Sequence, residues 1–192
     1  MKIALTGGIG CGKSTALTAF RNHHFTTLSA DALGHEILSG SAAVDFVVKR
    51  FGKDCAPAGV IDRARLAKIV FSDPRAREDL EAFMHPRIEN AWRERAQAAE
   101  SRGENCVVEI PLLFEKQLEG AFDCTLCLAC SEAVQLERLE KRGLPREQAR
   151  SRMAAQLPLE EKIRRADYCL FNDGSPEFLE AQIQFFITEF LN

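Results

Sequence analysis

The apolar positions of this chain change period several times, and each change marks an element. Residues 2–6, Lys2-Ile3-Ala4-Leu5-Thr6, form a short apolar run with strand character that enters a glycine cluster. Beyond the glycines, Ala16, Leu17 and Phe20 recur at helical spacing and predict a helix over 13–21. A second strand over 25–28 ends at Ser29-Ala30-Asp31, and a helical segment over 33–38 follows. From 41 to about 102 the sequence predicts helices broken by Gly52, Pro57-Ala58-Gly59, Pro74 and Pro86, with no β-like run. The last of these, 86–101, sets Ile88, Trp92, Ala96 and Ala99 along one stripe and places Pro86 in its first turn. Strand character returns over 105–110 and 122–129. Two charged helices, 131–142 and 146–156, are then predicted on either side of Gly143-Leu144-Pro145. A final strand over 168–171 meets the turn Asn172-Asp173-Gly174, and Leu179, Ile183, Phe186 and Phe190 define a closing amphipathic helix. Strands alternating with helices predict an α/β fold whose parallel sheet is covered on both faces.

Within this pattern, Gly7-Gly8-Ile9-Gly10-Cys11-Gly12-Lys13-Ser14 satisfies G-x-x-x-x-G-K-[ST] and sits between a predicted strand and a predicted helix. Glycines let successive backbone N–H groups turn inward toward phosphate oxygens, and the following helix N-terminus favours negative charge. Lys13 is expected on the β- and γ-phosphates, Ser14 on Mg²⁺, and Thr15 near the phosphates. The loop by itself specifies nucleotide binding and leaves the reaction open. Cys11 lies inside it, where a helix N-terminus and Lys13 lower a thiol pKa. It reads either as a small filler or as an alkylation-sensitive residue whose modification blocks ATP.

Composition narrows the remaining classes. A chain of 192 residues with 46% hydrophobic and 28% charged residues supports one compact domain and excludes disordered or collagen-like chains. The net charge of −3, with no basic tail, predicts no nucleic-acid partner, so phosphate recognition must be local. No run approaches the roughly 18 apolar residues of a membrane span, and residues 1–6 lack the pattern of an export signal, so a cytoplasmic location is expected. The seven cysteines are an odd, scattered set that reads as reduced thiols. Cys124, Cys127 and Cys130 have the spacing of a partial iron–sulfur ligand set. They lie in a strand-like run where Cys127 points opposite to the other two, and a fourth cysteine is missing.

Several stretches beyond the loop resemble one family. Ala4 to Thr15, the run His85-Pro86-Arg87-Ile88 and the run Ile110-Pro111-Leu112-Leu113-Phe114-Glu115 are similar to dephospho-CoA kinase. So are Gln135 to Leu139 with Arg142, and Ala166-Asp167-Tyr168 leading to Asn172-Asp173-Gly174-Ser175. The resemblance spans essentially the whole chain. It implies a P-loop NTPase-type three-layer fold with a nucleotide core (about 1–33, 104–130 and 166–192), a helical acceptor-binding insertion (about 34–103) and an arginine-rich lid (about 131–165). It implies the last step of coenzyme A synthesis, with ATP as co-substrate, Mg²⁺ as cofactor and dephospho-CoA as acceptor. A monomer is the expected working form, although the sequence does not fix the oligomeric state.

The resemblance also assigns roles where the residues alone leave alternatives. Asp31 reads as a helix N-cap or surface acid by pattern, and as the carboxylate that orients the acceptor hydroxyl by resemblance. The family usually has Asp-x-Asp here, and Ser29 stands at the first acid's place. Glu109 is either a strand-end acid or a Mg²⁺ ligand. His85 is either structural or an acceptor contact. Arg138 and Arg142 share a helix face, followed by Arg146, Arg150 and Arg152. They form either a solvated face, with Glu137 paired to Lys141, or a lid whose guanidiniums close over the triphosphate, with Arg142 as the clamp. By resemblance Gly8, Ile9, Gly10, Cys11, Gly12, Asn172 and Gly174 complete the ATP site. A nucleoside monophosphate kinase shares the loop, insertion and lid, whereas a guanine-nucleotide switch would need an Asn-Lys-x-Asp element that the chain lacks.

Overall fold

The structure, a computed structural model, describes residues 1–190, and these divide between two compact units. The first unit comprises Met1–Ser29 and the chain from Ala96 onward; the second is Ala30–Arg95. The second unit begins at Ala30, where a helix follows a strand directly.

In the first unit the strands β1 (Lys2–Gly7), β2 (Thr26–Ser29), β3 (Cys106–Glu109), β4 (Cys124–Ala129) and β5 (Tyr168–Phe171) form one sheet in the order β2-β3-β1-β4-β5. All four pairings are parallel. Five carboxyl strand ends therefore share one edge of the sheet. The register sets Glu109 beside Leu5 on one side and beside Ser29 on the other. β1 and β4 are nearly wholly buried, as strands covered on both faces must be. Helix α1 (Lys13–Asn22) buries Ala16, Leu17 and Phe20, the stripe read from spacing. Ile3, Leu5, Val107, Leu126 and Leu128 complete this core with Leu179, Ile183 and Phe186 of α9 (Pro176–Phe190). The fourth residue of the predicted α9 stripe, Phe190, stays half exposed and rests against Tyr168 at 4.9 Å between ring centroids.

The second unit is helical: α2 (Ala30–Leu38), α3 (Ser41–Phe51), α4 (Arg63–Ser72) and the greater part of α5 (Pro74–Ser101). Its core joins Ala43, Val47, Cys55, Ile61 and Leu66, with Phe46 stacked on Phe83 at 4.2 Å. One sequence expectation is corrected here. Pro86 does not open a helix; α5 runs through it without a break. Proline removes one donor from the ladder. The Arg87 guanidinium donates to the nearby Phe83 carbonyl at 2.7 Å and lies 3.7 Å over the Phe83 ring. That local bonding accompanies the continuation of the helix past the proline.

A second correction concerns residues 131–165, where two charged helices were expected. They hold α6 (Glu132–Lys141), α7 (Arg146–Ala154) and an additional helix, α8 (Leu159–Arg165). α8 packs on β1 and β4, and its Leu159 lies against the main core. Its sequence is dominated by charge, so periodicity gave no sign of a packed face.

Candidate active site

The glycine loop leaves β1 at the carboxyl edge of the sheet and leads into α1 at Lys13. Its curl rests on left-handed backbone at Gly10 and Gly12, with φ of 82° and 92°. At Gly12 the constraint is also steric, since a Cβ would stand 2.2 Å from the Asn172 amide nitrogen. That amide donates to the Cys11 carbonyl at 2.8 Å, and Asn172 is only 4% exposed. The turn after β5 therefore splints the middle of the loop. Arg138 of α6 donates to the Gly10 carbonyl at 3.4 Å. Gln135, also buried, bonds the Cys130 carbonyl at 3.2 Å and closes against Gly8 and Gly10. Lys13 lies across the loop mouth, its ammonium donating to the carbonyls of Gly7 and Gly8 at 3.1 and 3.0 Å.

Gly12, Thr15, Arg138, Lys141, Arg142, Asn172 and Pro176 line a cleft of about 280 Å³. The exposed hydroxyls of Ser14 and Thr15 stand in the first turn of α1, and Arg142 ends α6. Cations and helix-end N–H groups meet in this cleft with little acidic counterweight, which suits a polyanionic ligand. Asp173 supports the same corner. Its carboxylate accepts from the Ser131 N–H at 2.9 Å, and bonds from Ser131 hold it below the usual carboxylate range. Gly174 is exposed beside it. Farther along the segment 131–165, Arg146 pairs with Glu140 and Arg150 with Glu132, while Lys141 pairs with Glu137 as its i, i+4 spacing predicted. Of the arginines expected in a lid, Arg138 and Arg142 line the cleft.

Glu109 closes β3 and is 8% exposed, so it is a buried acid at the sheet's carboxyl edge. Asp31 is the second residue of α2 and His85 precedes Pro86 in α5; both belong to the second unit, Asp31 exposed and His85 half-buried.

Of the two readings of Cys11, burial supports the small filler over the alkylation-sensitive thiol. Its side chain is fully buried and turned into the core, where the Cys130 thiol donates to its sulfur at 3.5 Å. That bond, opposed by burial and aided by Lys13, lowers the Cys11 thiol to about 7, while Cys130 is pushed up. Acidity without access does not make a labelling site. The Cys127 thiol is likewise pushed up, chiefly by its hydrogen bond to Cys169.

Sequence reasoning gave no role to Gln135 or Thr6, both buried polar residues at the loop. A polar side chain at an inward position of a helix or strand was the available signal, because burial requires it to find a partner.

A model of the dephospho-CoA kinase family matches residues 1–177 of the chain. Dephospho-CoA kinase of Syntrophotalea carbinolica is 42% identical over 94% of this chain and 88% of its own length. That of Thermosynechococcus vestitus is 41% identical over 95% and 91%. Among solved structures, dephospho-CoA kinase from Campylobacter jejuni superposes with a TM-score of 0.76 at 29% identity, covering 98% of this chain and 97% of that one. TT1252 from Thermus thermophilus reaches 0.82 at 36% identity over 99% and 97%. Shikimate kinase from Aquifex aeolicus shares the fold alone, at 0.57 and 14% identity over 98% of this chain and 96% of that one. With a family model spanning nearly the whole chain and relatives of this identity, the protein is a kinase that belongs to the dephospho-CoA kinase family.

Proposed function

We propose that the protein transfers the γ-phosphoryl group of ATP to the ribose 3′-hydroxyl of dephospho-CoA, giving coenzyme A and ADP. The observation that carries the nucleotide half is the loop of Gly7 to Ser14, braced by Asn172 and Arg138 and opening on a cleft lined by cations. The acceptor half is supported by family membership. In this reading the amides of Gly8 to Gly12 and the Lys13 ammonium hold the triphosphate, with Ser14 and Thr15 at its inner end. Arg138 and Arg142 support the charge that spreads over the moving phosphoryl oxygens. Asp31 receives or orients the 3′-hydroxyl for in-line attack, and His85 contacts the acceptor. The helical insertion (about 34–103) binds the acceptor and the segment 131–165 contains the lid, whose closure excludes water.

Mg²⁺ belongs to this reading as the ion that neutralises phosphate charge during transfer. The donor chemistry fits: the exposed Ser14 hydroxyl and the buried Glu109 carboxylate are hard oxygens. Among the described residues no group of three or more acidic, histidine or cysteine side chains is gathered to hold a metal. Mg²⁺ needs no such cage, because one or two protein oxygens plus substrate phosphates and water suffice. No helix among the described residues is long and apolar enough to cross a membrane, and the proposed site of action is the cytoplasm.

The test is acceptor selectivity in an ADP-release assay with ATP and Mg²⁺. Dephospho-CoA should outpace AMP, CMP and dTMP by orders of magnitude. A preference for any nucleoside monophosphate would overturn the assignment, and slow turnover indifferent to every acceptor would point to a nucleotide switch.

A further inference from the structure

Lys162 of α8 is completely buried, at 0% exposure. Its ammonium donates to the Pro111 carbonyl at 2.7 Å and pairs with Glu115 Oε1 at 2.9 Å. The same carboxylate oxygen accepts the Leu157 N–H at 2.9 Å. The Pro111 carbonyl accepts a second bond, 3.4 Å long, from Thr6 Oγ1. Thr6 is fully buried and immediately precedes Gly7. Four stretches of one unit thus meet at a single cation: the exit of β1 into the phosphate loop, the segment that follows Glu109, the linker after α7, and α8 itself.

Stability alone is a weak reason for such a device, since replacing both partners of a buried ion pair by apolar groups is often neutral or stabilising. Position is a better one. Pro111 is two residues beyond Glu109, and its carbonyl is pinned from one side by the loop's leading residue and from the other by Lys162. A shift of about 1 Å in reacting geometry is enough to cost a hundredfold in rate. α8 is anchored further by Arg165, which pairs with Glu119 and lies 4.7 Å over the Phe114 ring.

We infer that Lys162 is a positioning residue for phosphoryl transfer: it fixes the exits of β1 and β3 against the root of the lid. The inference rests on the function proposed above. It makes α8 part of the fixed frame and leaves the lid's motion to the chain before Leu157.

The test uses K162M and the double variant K162M/E115M, each measured for CoA formation, ATP affinity and thermal midpoint. K162M leaves the partly buried Glu115 carboxylate beside an apolar chain, with its buried second oxygen already lacking a hydrogen-bond partner, and should lower the midpoint. Its kcat should fall by about tenfold or more, with the ATP dissociation constant within roughly threefold of wild type. K162M/E115M should regain the midpoint while kcat stays low, a separation that a purely structural role would not produce. Recovery of kcat together with the midpoint would overturn the inference, as would an unimpaired K162M. If K162M does not fold, the double variant decides, since it carries no uncompensated charge, and a wild-type kcat there overturns the inference. A wild-type protein that makes no CoA would instead defeat the proposed function, and the same comparison would then be read on ADP release with the acceptor it does use.

Discussion

Replacing Gly12 by alanine isolates the device that shapes the phosphate loop. Gly12 has φ of 92°, and a left-handed conformation costs an L-residue about 1–2 kcal/mol. The new Cβ would also stand 2.2 Å from the Asn172 amide, which must withdraw from the Cys11 carbonyl it now meets at 2.8 Å. Leaving a buried amide and carbonyl without each other costs about 1–3 kcal/mol more. The expected destabilisation is about 2–5 kcal/mol, or roughly 4–20 °C in the melting midpoint for a chain of this size. Asn172→Ala alone should cost about 1–2 kcal/mol, for the lost bond only. In the double variant the collision disappears and the bond is lost once, so its cost should fall short of the sum by about 1 kcal/mol or more. Urea melts of the three variants measure these values. Titration calorimetry should find the ATP dissociation constant of Gly12→Ala raised at least about tenfold, or 1.4 kcal/mol. Strict additivity, or wild-type ATP affinity in Gly12→Ala, would refute the argument that Asn172 splints the loop at the Cys11 carbonyl in the space Gly12 leaves.

Lys13→Ala should abolish CoA formation while the protein still melts cooperatively, because in the proposed reading its ammonium holds the triphosphate. Asp31→Asn should lower kcat by roughly 100-fold or more with little change in ATP affinity by calorimetry; a near-normal kcat removes Asp31 from the proposed role. Cys11, although lowered to about 7, should resist iodoacetamide in the native protein and react fully in urea, as peptide mass mapping would report. Rapid native labelling that ATP suppresses would contradict its burial.

The elements most readable in the sequence are those whose chemistry is local. The glycine loop announced itself because its curl needs glycine and its motif, Lys13 and Ser14 included, is contiguous in the chain, and α1 and α9 showed their core stripes through spacing. What periodicity missed depends on distant partners. α8 presents Glu160, Glu161, Lys162, Arg164 and Arg165, which reads as a solvated run, yet Lys162 is buried because Glu115 and the Pro111 carbonyl receive its charge. Asn172 was placed near the nucleotide by resemblance, while its own work, splinting the loop through the Cys11 carbonyl, follows from a bond across 161 positions. Pro86 read as a helix start on its local preference, whereas α5 runs through it. That the Cys11 thiol is lowered was expected from Lys13, but the chief cause is the bond from Cys130, far along the chain, and its burial in the core was not legible from spacing.

The account stands most directly on the product. Purified protein incubated with ATP, Mg²⁺ and dephospho-CoA should yield, by mass spectrometry, an acceptor heavier by one phosphoryl group carried on the ribose 3′-oxygen, with ADP formed in equal amount. ADP accumulating while dephospho-CoA stays unmodified, or the phosphoryl group appearing elsewhere on the acceptor, would contradict it.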